Sequence, residues 1–161
     1  SAASDVYKRQ ELTLAEIERI APHRGSMELG LMVLGAPRVM TSEHCILQVT
    51  GACIHDCANC RLRTRDFKLK NIDGRMLPVR TGLNGRSHLY DGVALDATPQ
   101  IPALLHAGVT RFLVDGTLMD ADELARGVAR AKRALDAALA GRTPDKRMPG
   151  SSSGCLFQGV E

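Results

Sequence analysis

Four of the chain's five cysteines, Cys45, Cys53, Cys57 and Cys60, fall within sixteen residues, in the segment EHCILQVTGACIHDCANC. Thiols packed this densely into one polar stretch dominate whatever local structure forms there. A disulfide framework suits small secreted chains that lack a core. This chain has 161 residues, 44% of them hydrophobic, enough for a domain with its own core. It shows no secretory apolar segment and no run long enough to span a membrane, which points to a reducing cytoplasm. Reduced, clustered cysteines bind soft metals. The fifth, Cys155, is distant in sequence and reads as a lone thiol.

The spacing is C-x7-C-x3-C-x2-C. A structural zinc site pairs a short cysteine knuckle with a second, distant one, a pattern this spacing only partly follows. An iron-sulfur cluster with four thiolates accepts irregular loop spacing. Buried free thiols are the bland alternative. Cys53, Cys57 and Cys60 alone spell the C-x3-C-x2-C triplet that resembles radical S-adenosylmethionine enzymes, but Asn59 stands where that family commonly has an aromatic residue.

The charge balance, 21 Lys and Arg against 18 Asp and Glu, is only mildly basic, and 3% aromatics with no Trp argue against a stacking platform for single strands. The distribution is uneven. Arg61, Arg63, Arg65, Lys68, Lys70, Arg75, Arg80 and Arg86 face only Asp66 and Asp73 over the same stretch. Such a run is either a solvated surface or a grip for an anionic partner.

Residues 1–10, SAASDVYKRQ, have no apolar period and resemble translated adapter sequence, so they are set aside as an artefactual or disordered leader. Residues 11–141 carry the fold. Leu12, Leu14, Ile17 and Ile20 predict a helix over 11–22, with Thr13 and Glu16 as a capping box. Met27 to Leu34 reads as a buried parallel strand that Arg38 to Met40 extends past Pro37. The cysteine loop, 41–62, has no period. From 66 to 90, alternation interrupted by Asp73-Gly74 and by Leu83-Asn84-Gly85 predicts an antiparallel β meander. Ile101 to His106 reads as a short helix, Val109 to Val114 as a strand, and Asp120 to Ala140 as a helix with Leu124, Val128, Ala131, Leu135 and Leu139 on one face. Residues 142–161 form an irregular tail whose end, CLFQGVE, docks back.

This order is the grammar of an α/β protein with a parallel sheet. The visible core strands are too few for a closed (β/α)8 barrel, which takes about 250 residues. The expected fold is therefore a C-terminal fragment of a TIM-barrel-like domain, its N-terminal half missing, with the cysteine loop and the meander as an excursion. The strands of Val33 and Val114 should be parallel neighbours under the helix from Asp120.

The run ELGLMVLGAPRVMTSEHC, the cysteine loop, LKNIDGRMLPVRT, GRSHLYD and GVTRFLVDG together resemble the ordered blocks of the collagenase-like peptidases, peptidase family U32. Glu28, Gly35 and Ala36 match the first block, Glu43, His44, Cys45 and Cys53 the second, Gly74, Pro78 and Val79 the third, Arg86 and Tyr90 the fourth, and Asp115 the last. The resemblance implies a barrel-like catalytic domain. It also implies an enzyme that either cleaves peptides or carries a [4Fe-4S] cluster and takes part in hydroxylating RNA or a small anionic precursor. Cluster-bearing relatives draw a late cysteine from the position of Gly85, so here Cys57 and Cys60 would complete the set. Asn71 and Ile72 replace an Asp-Arg pair, and Asp91 replaces an Asn.

The metal candidates are thus Cys45, Cys53, Cys57 and Cys60, for a [4Fe-4S] cluster or for zinc. A non-catalytic zinc-stabilised binding module explains the same thiols. Glu43, His44 and Asp115 are the candidate acid-base groups, since a carboxylate or an imidazole can move a proton. Arg80, Arg86, His88 and Tyr90 are the candidate substrate-binding edge, where a guanidinium fork can hold a phosphate or carboxylate. His23, His55 and His106 read as surface or capping residues.

Overall fold

A computed structural model describes residues 5–8, 12–82 and 84–157. In chain order these form β1 (Asp5–Lys8), α1 (Leu14–Ile20), β2 (Glu28–Gly35), β3 (Arg38–Ser42), α2 (Ile46–Val49), β4 (Phe67–Lys70), β5 (Met76–Thr81), β6 (Ser87–Tyr90), β7 (Leu95–Asp96), α3 (Ile101–His106), β8 (Arg111–Val114) and α4 (Ala121–Leu139). The chain divides into two units: Ser1–Ala36 with Val93–Glu161, and Pro37–Gly92. Both hold sheet and helix together only in part, and the whole is mixed α/β. Leu83, in one expected turn, and 158–161, at the expected docking end, lie outside the described residues.

The first unit is built on β2. Its run of Leu, Met and Val is buried on both faces, as a central parallel strand requires. β8 pairs with it in parallel, Leu31 opposite Phe112 and Leu34 opposite Val114, with a bulge between Met32 and Leu34. The bulge keeps Leu31 and Leu34 on the face of Phe112 and Val114. β1 also pairs with β2 in parallel, from Asp5 opposite Glu28 to Lys8 opposite Leu31. Residues 5–8 are therefore part of the sheet, a correction to the reading of 1–10 as a leader outside the fold. The backbone pairing needs no apolar period, which is why periodicity missed it.

α1 starts at the expected capping box: Thr13 Oγ1 accepts from the Glu16 N–H at 3.3 Å, and Glu16 Oε2 accepts from the Thr13 N–H at 2.8 Å. α4 packs across the sheet as expected, but on a different stripe. Gly127 and Ala134 are buried and Ala131, Leu135 and Ala138 pack against the core, whereas Leu124, Val128 and Leu139 are exposed. Small residues win the interface because they let the helix approach: a Cβ on Gly127 would stand 2.9 Å from Leu34 Cδ2. The largest apolar residues are not always the buried ones.

β7, which no local pattern announced, runs antiparallel to the end of β2 and brings Asp96 into the interior, fully buried. Its carboxylate accepts from Thr98 Oγ1 at 2.6 Å, from the Met148 N–H at 2.8 Å, and from Arg130 Nη2 and Nε at 2.8 and 3.2 Å. Burial alone would raise its pKa, but the bonds from Thr98, Met148 and Arg130 together outweigh it and hold the carboxyl below the usual range. This knot ties β7, α4 and the tail together. The tail continues with the Asp96 N–H on the Ser152 carbonyl at 2.8 Å and the Leu14 N–H on the Leu156 carbonyl at 2.9 Å, with Leu156 buried. The expected docking of the C-terminal segment is present.

Gly35 closes β2 at φ +133, where a Cβ would lie 2.5 Å from the Asp115 carbonyl oxygen. Gly35→Ala should therefore cost about 1–3 kcal/mol of stability for overpacking, in addition to the strained φ, and lower the urea midpoint of unfolding accordingly. An unchanged midpoint would show that the strand end shifts freely.

The second unit is an antiparallel sheet in the order β3-β6-β5-β4. The meander from β4 to β6 is present as expected, with Phe67 opposite Val79 and Val79 opposite Leu89. Positive φ at Gly74 and Gly85 supplies the turns that the Asp-Gly and Asn-Gly pairs announced. Arg38–Ser42 does not extend β2. It is the outer strand of this second sheet, with Thr41 opposite His88 and Ser42 opposite Ser87, a correction to the continuous-strand reading. Proline at 37 ends the ladder because it has no N–H to donate. Lys68 and Lys70 are exposed on the other edge, where charge discourages pairing with foreign strands.

Candidate metal centre

All four clustered cysteines belong to the second unit and line one cavity, with Leu47, Arg63, Thr81 and Gly82 among its other walls. Local structure accounts for their placement. Cys45 precedes the single helical turn α2 and is buried. That turn is pinned to the sheet by the Ile46 N–H on Ser87 Oγ at 2.9 Å. Cys60 precedes the 3-10 turn Arg61–Thr64. Between them Asp56 Oδ1 accepts from the Asn59 N–H at 3.2 Å and Oδ2 from the Asn59 side-chain amide at 2.7 Å, closing the turn that carries Cys57. The Asn59 side chain, then its backbone N–H, keep the Asp56 carboxyl below the usual carboxylate range. His55 is the non-glycine residue with positive φ among those described, at 55°. That conformation aims its N–H at Cys53 Sγ, 3.4 Å away. The meander contributes Gly85, where a Cβ would sit 3.6 Å from Cys57 Sγ.

The thiols share a cavity without meeting at a point. Among the described residues no group of three or more His, Cys, Asp or Glu side chains stands ready to hold a metal ion. All five cysteines are free thiols. The cavity volume is about 10 Å³, room for one water-sized guest. What the cavity offers is donor chemistry alone: four sulfurs border one space, the His55 N–H already donates to the Cys53 sulfur, and Arg63 is among the lining residues. Ile54, His55, Asp56, Ala58 and Asn59 are exposed, so widening the cavity uncovers little apolar surface.

The remaining candidates are dispersed. Glu43 and His44 are exposed in the second unit. Glu43 is paired with Arg86 at 2.8 Å, and the His44 N–H donates to Ser42 Oγ at 3.1 Å. Asp115 belongs to the first unit, where its carboxylate accepts from the Thr117 N–H at 2.8 Å. Arg80 lies opposite His88 in the ladder, and Tyr90 shares their face by alternation. Arg80 is paired with Asp66, His88 Nδ1 bonds Thr41 Oγ1 at 3.1 Å, and Tyr90 is buried. Sequence reasoning missed Thr81 and Arg63 as walls of the cysteine cavity. Thr81 had a signal: it stands two residues beyond Val79 on a predicted strand, hence on the same inward face.

A mixed α/β chain with a thiol-lined cavity carried by an antiparallel excursion is the class of protein these features define. The chain matches the family model of peptidase family U32 over residues 3–153, and it belongs to that family of peptidase-like enzymes. No curated protein and no solved structure matches it. No helix among the described residues is long and apolar enough to cross a membrane.

Proposed function

We propose that this chain is the C-terminal part of a U32 catalytic domain on a TIM-barrel-like scaffold, in which Cys45, Cys53, Cys57 and Cys60 hold a [4Fe-4S] cluster. The carrying observation is that these four thiols, irregularly spaced in sequence, line one cavity. When bound, such a cluster supplies electron transfer or a Lewis-acidic iron. The chain's own residues supply the thiolates, an N–H to Cys53 sulfur and a cationic wall. The parallel pairing of β2 with β8 under α4 supports the barrel reading. Anaerobic preparation from a cytoplasmic expression host tests the cofactor. A brown protein with thiolate-to-iron charge-transfer absorption is expected, and a colourless one that resists loading with iron and sulfide would refute the cluster.

A zinc centre in a binding module is the second reading, favoured by the cavity's size, which suits a single ion better than a four-iron cube. Stoichiometric zinc in place of iron would select it.

The substrate under this proposal is a peptide or an anionic molecule, RNA included, gripped by Arg80, Arg86 and His88, with the buried Tyr90 on the same strand as His88. Both arginines carry carboxylate partners that an anionic ligand must displace. Exposed ion pairs are worth about 0–1 kcal/mol, so displacement is cheap. Arg86→Lys should lose affinity for RNA almost as badly as Arg86→Ala, because lysine lacks the bidentate fork, while Lys68→Ala should change it only slightly. Fluorescence anisotropy reads this directly. Equal, small effects of all three would leave the basic run a solvated face.

A further inference from the structure

Cys57, Ala58 and Asn59 form a turn that delivers the chain to Cys60. A tight turn keeps its first and fourth Cα atoms within about 7 Å. A disulfide bridges Cα atoms about 4.4–6.8 Å apart, so a turn of this kind holds two cysteines within the reach of a bridge. Both residues are free thiols, both are partly exposed, and both line the same cavity. We propose that Cys57 and Cys60 form a reversible thiol–disulfide exchange site, a dithiol that takes a small-molecule disulfide as its oxidant.

Loop length and access choose this pair among the four thiols. Closing a loop costs entropy that grows with its length, and the segment from Cys57 to Cys60 is the shortest that joins two of them. Cys45 also approaches Cys57, since a Cβ on Gly85 would stand 3.6 Å from Cys57 Sγ and 3.9 Å from Cys45 Cβ. Cys45 is buried, however, and exchange depends on access to the attacking sulfur. The turn itself is held by Asn59 on Asp56, at 3.2 and 2.7 Å, and Asp56, Ala58 and Asn59 are exposed, so the two sulfurs can rotate toward each other without repacking the core. In the reaction, one cysteine thiolate attacks a sulfur of the oxidant, forming a mixed disulfide and releasing one thiol. The second cysteine, as thiolate, attacks the cysteine sulfur of that mixed disulfide, which forms the Cys57–Cys60 bond and releases the second thiol. The dithiol gives up two protons and two electrons, and the oxidant takes them up as two thiols. A bridge across so short a loop constrains the unfolded chain little, so excess reductant should reopen it.

The test uses metal-free protein, whose thiols alone carry the inference, so its outcome is independent of the metal-centre reading. The full chain, kept without oxygen, is treated with oxidised glutathione, its remaining thiols are alkylated in denaturant, and its peptides are mapped by tandem mass spectrometry. The peptide bearing the pair should lose about 2 Da, the two hydrogens given up to one disulfide, with the link between Cys57 and Cys60 and with Cys45 and Cys53 alkylated. Cys60→Ser should lose the link and stop as a glutathione adduct on Cys57, and Cys57→Ser should stop as one on Cys60. Cys155→Ser, in the other unit, should close the bridge as the unaltered chain does. Excess reduced glutathione should restore both thiols. A link through Cys45 or Cys53, adducts that persist on Cys57 and Cys60 together, or no reaction at either thiol overturns the proposal.

Discussion

Replacing Asp96 with asparagine should destabilise the first unit by about 3–5 kcal/mol near neutral pH, the usual cost of breaking a buried charge pair from one side. The carboxylate is fully buried, and the Arg130 side chain that faces it is only 14% exposed. With the charge gone, Arg130 is left in the interior without its counterion. The Thr98 hydroxyl and the Met148 N–H meet an amide with one acceptor in place of a carboxylate with two. Because the tail reaches the sheet through this knot, limited proteolysis near Met148 should speed up in parallel. The pH dependence carries the sign of a depressed carboxyl. Its contribution is complete above the unfolded-state pKa of about 3.9 and is lost as pH falls from there through the lower folded-state value. The gap between unaltered chain and variant should therefore be constant from neutrality to mild acid and shrink below that range. A gap that stays constant to the lowest measurable pH would show that folding does not lower the Asp96 pKa, and one that widens in acid would show that the folded protein holds the carboxyl protonated.

Cys57→Ser should weaken metal binding about a hundredfold, while Cys155→Ser, in the other unit, should leave it unchanged. If four thiolates share about 12 kcal/mol of binding evenly, the loss of one costs about 3 kcal/mol, roughly a hundredfold in affinity. Cys57 is the informative choice because its turn is held by Asp56 and Asn59 and not by the core, so serine there spares the packing that a change at buried Cys45 would disturb. Co²⁺ titration of the metal-free protein measures the difference. Equal affinity in Cys57→Ser and the unaltered chain would remove Cys57 from the ligand set.

What is legible in the sequence here is local or periodic. Thr13 with Glu16, Asp73-Gly74 and Asn84-Gly85 act within a few residues, and each stands where it was expected. The long apolar run of β2 and the alternation of β5 identify buried strands because burial acts on every residue or every second one. What is not legible depends on partners far along the chain. Nothing near Arg38 says that its strand pairs with Ser87–Tyr90 and not with the continuation of β2. The face α4 buries is set by how closely Gly127 lets it approach Leu34, which an apolar count cannot see. Asp96 looks like an ordinary loop carboxylate until Arg130 and Met148 arrive from 34 and 52 residues away. In the candidate site the thiols announced themselves by density alone. Thr81 and Arg63 reach the same cavity from outside the cysteine segment proper, and the three ion pairs that occupy Arg75, Arg80 and Arg86 emerge only from the folded sheet.

Iron, zinc and acid-labile sulfide counted against protein, in a sample prepared without oxygen and reconstituted with iron and sulfide, test the four-cysteine centre most directly. About four irons and four sulfides per chain are expected, as the cluster's composition requires, with both lost in Cys57→Ser. Neither iron nor zinc in fixed proportion to the chain, or equal amounts in the unaltered and Cys57→Ser proteins, would contradict it.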